Sequence, residues 1–249
     1  MALPPVGAQL LVFSGNYDIN TQTDEILDCI AAAGYAGVEG GAKDAVAYKR
    51  ALDTRGLKFG GQHVGLNSLS DLPTIVEYMR VVETTELSNS GLTTWNNPGL
   101  EDYVKSIEIL NEAGRKLKDD GINLHYHNHA FEFEKVDGEK TGMDLLIAGL
   151  NPAYCDLCVD VAWVHKGGED PAAFLKKHQN IVGYLHYKDY DDEGWCELGR
   201  GKVEYAPILE VVAQMPHISW AMIEQDTTRN EPKDSATESR RYLRDTFAY

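Results

Sequence analysis

His125, His127 and His129 stand two residues apart in the run Leu-His-Tyr-His-Asn-His-Ala-Phe-Glu-Phe that occupies positions 124–133. On an extended chain this spacing sends the three imidazoles to one side, and Tyr126 and Asn128 to the other. Three rings buried together would strand several nitrogens, and each unsatisfied buried polar group costs about 1–3 kcal/mol. A divalent cation is the commonest compensation, because neutral imidazole is a good ligand for zinc, manganese or iron. For any one of these histidines alone, a hydrogen bond inside a polar core is the competing account.

Composition narrows the chemistry. A chain of 249 residues with 43% hydrophobic content can bury a full core, and residues 1–249 are expected to form a single α/β domain. Acidic residues outnumber basic ones by 39 to 23, a net charge of −16. That balance argues against a nucleic-acid partner, whose binding is driven by Lys and Arg displacing counterions. No segment approaches the ~20 apolar residues of a membrane-spanning helix, and the first residues lack the pattern of a secretory signal, so a cytoplasmic protein is expected. Cys155 and Cys158 form a Cys-x-x-Cys without a second pair, inside a run that reads as buried strand. Redox or structural-zinc function is therefore disfavoured.

The elements that must carry these residues alternate. Strands are predicted at 8–14, 35–39, 57–64, 85–90, 124–133, 154–161, 181–186 and 218–224. Helices fall at 21–33, 42–54, 72–82, 101–120, 142–150, from 170, 202–215 and 235–247. The helix at 101–120 is the best marked, with Val104, Ile107, Leu110, Ala113 and Leu117 forming an apolar stripe before Gly121. Eight strand–helix units in about 250 residues predict a (β/α)8 barrel, the TIM barrel, whose active sites sit at the C-terminal ends of the strands. Glu39, His63, His127, His129, Asp160, His186 and Glu224 all end predicted strands. Converging on one mouth, they offer a mixed nitrogen and oxygen set suited to manganese, zinc, iron or cobalt.

These residues also carry a resemblance. The motifs are Gly34-Tyr35-Ala36-Gly37-Val38-Glu39, Tyr126-His127-Asn128-His129 with Phe131-Glu132-Phe133, and Val159-Asp160-Val161-Ala162-Trp163-Val164. His186-Tyr187-Lys188-Asp189, Leu198-Gly199-Arg200-Gly201 and Ile223-Glu224-Gln225-Asp226 follow. In that order and spacing the chain resembles the xylose isomerase-like barrels, the sugar phosphate isomerase/epimerase group, which includes hexulose epimerases, inosose dehydratases and the more distant endonuclease IV. The resemblance implies a divalent metal (manganese, zinc, cobalt, iron or magnesium) held by His127, Asp160, His186 and Glu224. The epimerases place a glutamate where this chain has His127. Either Glu132 serves as the second carboxylate, or the chemistry needs only Glu224.

A proton beside a carbonyl is removable at neutral pH once the developing enediolate is stabilised, and a cation chelating the carbonyl and a neighbouring hydroxyl does this. Glu224 is then the expected general base. Lys188, two residues after His186, is a candidate donor to an oxyanion or hydroxyl; its alternative is a salt bridge with Asp160 or Glu224. His63 and His129 are candidate contacts to a sugar substrate, Trp163 a candidate platform for its ring, and Glu39 a holder of neighbouring side chains. Gly199-Arg200-Gly201 is a weak candidate for an anion-binding turn. The stretches 189–193 and 225–234 are expected to be solvated loops, with a part in specificity or a contact to another subunit of a homo-oligomer as the alternatives. The expected activity is a metal-dependent sugar isomerase or epimerase. A lyase or dehydratase acting on a keto-sugar, and a non-catalytic sugar-binding barrel, are the alternatives.

Overall fold

The computed structural model describes residues 3–249. The first half runs β1 (Val6–Gln9), α1 (Thr23–Ala33), β2 (Gly37–Glu39), α2 (Ala45–Asp53), β3 (Lys58–Gly65), α3 (Leu72–Val82), β4 (Glu86–Ser90) and α4 (Leu100–Leu117). The second runs β5 (Asn123–His127), α5 (Gly142–Gly149), β6 (Cys155–Asp160), α6 (Val161–Lys166), α7 (Pro171–His178), β7 (Val182–Tyr187), β8 (Asp189–Asp191), β9 (Gly194–Cys196), α8 (Tyr205–Val212), β10 (Ala221–Ile223) and α9 (Pro232–Phe247). Strands β1 to β7 and β10 pair in parallel and close on themselves, with Val6 beside Ala221 and Gly7 beside Gly37. The predicted (β/α)8 barrel is the fold.

Local chemistry sets the ends of the elements. Gly34 closes α1 in the left-handed conformation, φ 86°, which a glycine adopts without a Cβ clash. Asp170 caps α7, accepting from the Ala173 amide at 2.7 Å, with Pro171 in the first turn. Asp160 does the same for α6, its Oδ1 accepting from the Trp163 amide at 2.9 Å. One ligand candidate is thereby fixed by the helix it starts.

Three expectations need correction. The first strand ends at Gln9, and Leu10–Phe13 form a 3-10 turn, whose start is stabilised by Gln9 Oε1 accepting from the Leu11 amide at 2.5 Å. The apolar run there packs sideways rather than continuing the ladder. The fifth strand stops at His127, and Phe131–Phe133 form a short 3-10 turn. The buried face of α4 is Tyr103, Ser106, Leu110, Ala113, Gly114 and Leu117, leaving Val104 48% exposed. Gly114 explains this rotation. A Cβ there would run into the Tyr154 carbonyl, so the helix can approach the barrel closely only along that line. Cys155 and Cys158, three apart on a strand, face opposite sides; Cys158 lies inside with Tyr184 and Met222, and both thiols are free.

The barrel interior is layered. At its floor His125 Nε2 meets Glu86 Oε2 at 2.8 Å and its Nδ1 bonds Asp156 Oδ1. Ser219 Oγ and Asn123 Nδ2 donate to the Glu86 carboxylate at 3.0 and 3.1 Å. Cys158, Tyr184 and Met222 form the layer above. The mouth holds the remaining ionisable residues.

Candidate metal centre and active site

The C-terminal ends of β5, β6 and β7 and the residue after β10 deliver His127, Asp160, His186 and Glu224. One nitrogen or oxygen from each lies within 4.8 Å of the others, and all four residues are buried. His127 Nε2 stands 3.7 Å from Asp160 Oδ2 and 3.6 Å from Glu224 Oε2, too far for a hydrogen bond. Among the described residues neither nitrogen of His127 has a partner, nor does Asp160 Oδ2. Buried polar atoms left open in this way are costly unless something else meets them. Two imidazoles and two carboxylates converging, with the open valences on His127 and Asp160, fit a divalent transition metal.

The electrostatics follow from crowding. Burial, then the rings of His186, His63 and His129, hold the His127 pKa well below its usual value, which keeps it neutral and ligand-ready. Burial works against a charged His186, but Cys158, Glu39 and Glu224 outweigh it and raise its pKa well above normal. Burial raises the Asp160 carboxyl to about 7, despite the opposing charge of Lys188. Burial would raise Glu224 as well, but Lys188 and His186 hold it well below the usual range, so it stands ionised.

Lys188 is fully buried, and the salt-bridge account of it finds its counterpart, with Asp226 as the near partner. Its Nζ donates to Asp226 Oδ1 at 2.7 Å, lies 3.7 Å from Glu224 Oε1 and 3.8 Å from Asp160 Oδ2, and sits 4.3 Å from the centre of a Trp195 ring. Trp163 stands edge-on to Trp195 at 4.6 Å, its buried Nε1 without a partner among the described residues. His129 lies beyond the strand end, stacked on Phe131, with Trp95 and Trp163 at 5.3 and 5.4 Å. His63 packs against His127 at 5.3 Å, and its nitrogens face Glu39 and Ser90.

Two expected site residues lie elsewhere. Glu132 does not turn into the mouth: its oxygens accept from Tyr126 Oη at 2.8 Å and the His129 amide at 2.7 Å, behind β5. Tyr126 alternates with the inward histidines, so a carboxylate bonded to it is held on the outer side. His125 faces inward but belongs to the floor, so the three histidines share no single centre. The Gly199-Arg200-Gly201 turn does bind an anion, and the anion is the chain's own. Asp189 accepts from the amides of Tyr190, Gly199, Gly201 and Val203 at 2.8 to 3.1 Å, while Arg200 pairs outward with Glu238 at 2.6 Å. Nor is 189–193 a free loop. It enters the β8–β9 hairpin, whose Asp191 and Glu193 both bond Arg229 at 2.6 Å.

Asn128, Asp226 and Trp195 were not anticipated. Asn128 Oδ1 accepts from the Asp160 amide at 3.0 Å, steadying the end of β6. Asp226 was visible as the second residue after Glu224. Trp195 carried no signal, because its approach to Lys188 depends on how the hairpin folds back.

A profile described as "Xylose isomerase-like TIM barrel" matches residues 27–246. The chain belongs to this family. Two relatives in it are inosose dehydratases. That of Clostridium beijerinckii is 22% identical over 87% of each chain, and that of Clostridium tetani is 23% identical over 59% of this chain. The second match spans only 56% of the C. tetani protein, so there the chain answers to little more than half the length of its relative. Among solved structures, D-allulose 3-epimerase from Methylomonas sp. has a TM-score of 0.78 at 17% identity, covering 99% of both chains, a likeness of fold. Inosose dehydratases and a D-allulose 3-epimerase are thus among the proteins this family member resembles.

Proposed function

We propose that the chain is a divalent-metal-dependent lyase that removes water from a keto-sugar or keto-cyclitol of the inosose kind, with no phosphate required. The observation that carries this reading is the pairing of one ionised carboxylate, Glu224, with one buried ammonium, Lys188, across 3.7 Å at the mouth. Inverting a carbon between two facing glutamates needs a second one, and Glu132 is committed to Tyr126 and the His129 amide. His127, Asp160, His186 and Glu224 would hold the cation, which when bound polarises the substrate carbonyl and stabilises negative charge on its oxygen.

Glu224 takes the proton from the carbon beside the carbonyl, and the electron pair passes into the enediolate. Lys188 hands a proton to the hydroxyl leaving the adjacent carbon, and the net loss is one water. Asp226 keeps Lys188 charged and aimed, and the indoles of Trp163 and Trp195 keep water away from it. The dehydratase names of the relatives support this reading. Isomerisation or epimerisation is the second reading, supported by the likeness of fold to a D-allulose 3-epimerase.

The test is incubation with an inosose and with D-allulose in deuterium oxide, manganese present. Product lighter by one water supports the lyase; unchanged connectivity with carbon-bound deuterium supports the second reading. Glu224→Gln is expected to lower turnover by about 10²–10⁴-fold, and Lys188→Met to abolish water loss while sparing slow deuterium exchange. A folded, metal-loaded protein that does neither reaction would leave a sugar-binding barrel.

A further inference from the structure

Glu39 lies outside the four-residue cluster but reaches one of its members. Its Oε2 is 3.0 Å from His186 Nε2, and its Oε1 is 3.1 Å from His63 Nδ1. His63 Nδ1 also meets Ser88 Oγ at 3.0 Å, and its Nε2 meets Ser90 Oγ at 2.8 Å. A line of hydrogen bonds thus crosses the mouth from β4 through β3 and β2 to β7, and Glu39, fully buried, is its centre.

An ionised carboxylate only accepts hydrogen bonds. Facing two carboxylates, His186 carries a proton on each nitrogen: Nε2 donates to Glu39, and Nδ1, 2.6 Å from Glu224 Oε2, is the nitrogen turned toward the cluster and the one that would give up its proton to a bound cation. We propose that Glu39 is a positioning residue: it fixes the tautomer and tilt of His186 so that Nδ1 faces the cation, and His63 with Ser90 fixes Glu39 in turn. The proposal rests on the cation reading of the four-residue cluster. It follows the general behaviour of ligating histidines, whose second nitrogen donates to a carboxylate or carbonyl.

Glu39, His63 and His186 also bring ligand atoms within 4.8 Å of one another, and a second cation there is the competing account. The bonding favours the relay. Every nitrogen along it has a partner at hydrogen-bond length, whereas among the described residues the unpartnered imidazole nitrogens at the mouth belong to His127 and His129. A second ion would also oblige His186 to serve two metals.

Calorimetric titration of chelator-stripped protein with manganese chloride decides the matter. Wild type is expected to take up one ion per chain, and Glu39→Gln to bind it about 10–100-fold more weakly while unfolding at a similar temperature in the presence of chelator. His63→Gln, which removes a more distant bond, is expected to weaken binding less; it serves as the test should Glu39→Gln fail to fold. Affinity of Glu39→Gln within twofold of wild type overturns the positioning role alone. Two ions per wild-type chain, falling to one in Glu39→Gln, overturns it in favour of a second site. No binding by wild type removes the cation reading and this proposal together.

Discussion

At the floor of the barrel His125 lies between Glu86 and Asp156 with both ring nitrogens engaged; at the mouth His127, two residues along the same strand, has neither engaged. Both rings are buried and both stand near carboxylates. The floor is closed by hydrogen bonds from Ser219 and Asn123, so its charges neutralise one another inside the fold. At the mouth the bonds stop one step short. His186 and Lys188 are paired, while His127 and Asp160 Oδ2 remain open toward each other across 3.7 Å. A satisfied polar layer holds strands together, whereas an unsatisfied one stores a demand that an outside ligand can meet. The same residue types therefore serve structure at one end and chemistry at the other.

The sharpest way to break this comparison is to make the same change at both ends. His125→Gln leaves Glu86 and Asp156 facing each other without a cation between them, and should cost about 3–5 kcal/mol in denaturant unfolding. His127→Gln removes no hydrogen bond and should stay within about 1 kcal/mol of wild type, while manganese binding is lost. Equal costs at the two ends would erase the distinction. Next in size is the ligand itself. Manganese at 100 times its dissociation constant should raise unfolding free energy by about 2.7 kcal/mol in wild type and in folded His125→Gln, an increment reversed by chelator and absent in His127→Gln.

pH sharpens the contrast further. Burial opposes the charge on His125, but Asp156 and Glu86 outweigh it and raise its pKa from 6.5 to about 10. A raised folded pKa means that the stability from this ring is whole below 6.5 and drains away as pH climbs through about 10. Burial likewise opposes ionisation of Glu86, yet His125 holds it near 2, so its share is present above 4.5 and lost as pH falls through about 2. The difference in unfolding free energy between wild type and His125→Gln should shrink in both directions from the interval between 4.5 and 6.5. A difference that does not change with pH would mean that the floor is not held by charge. The smallest effect is expected outside the barrel: Arg200→Ala should change stability by no more than about 0.5 kcal/mol and leave turnover intact, because its guanidinium points to Glu238.

The barrel was legible because strand and helix periods alternate along the whole chain; the four cluster residues are among seven that end predicted strands, and it is the family resemblance that separates them from the other three. What escaped depends on contacts that no local pattern encodes. His125 and His129 share the spacing of His127, but depth in the barrel, set by pairing of Leu124 with Cys155 and of His127 with Cys158, separates them into different layers. Glu132 sits in the motif of a second base, yet the turn after His127 carries it behind the strand to Tyr126. Leu10, Leu11 and Val12 look like strand, but the register shared with β2 and β10 ends at Gln9. The link from Glu39 to His186 spans 147 positions and exists only because the sheet closes.

Asp189 fills the backbone cradle of Gly199 and Gly201 from within, and in doing so fastens the hairpin that sets Trp195 over Lys188. The segment from Asp189 to Val203 carries its own counter-ion and behaves as one cassette. Grafted onto a related barrel with Asp189 replaced by alanine, it would arrive with four amides pointing at nothing, and the tryptophan would lose its anchorage.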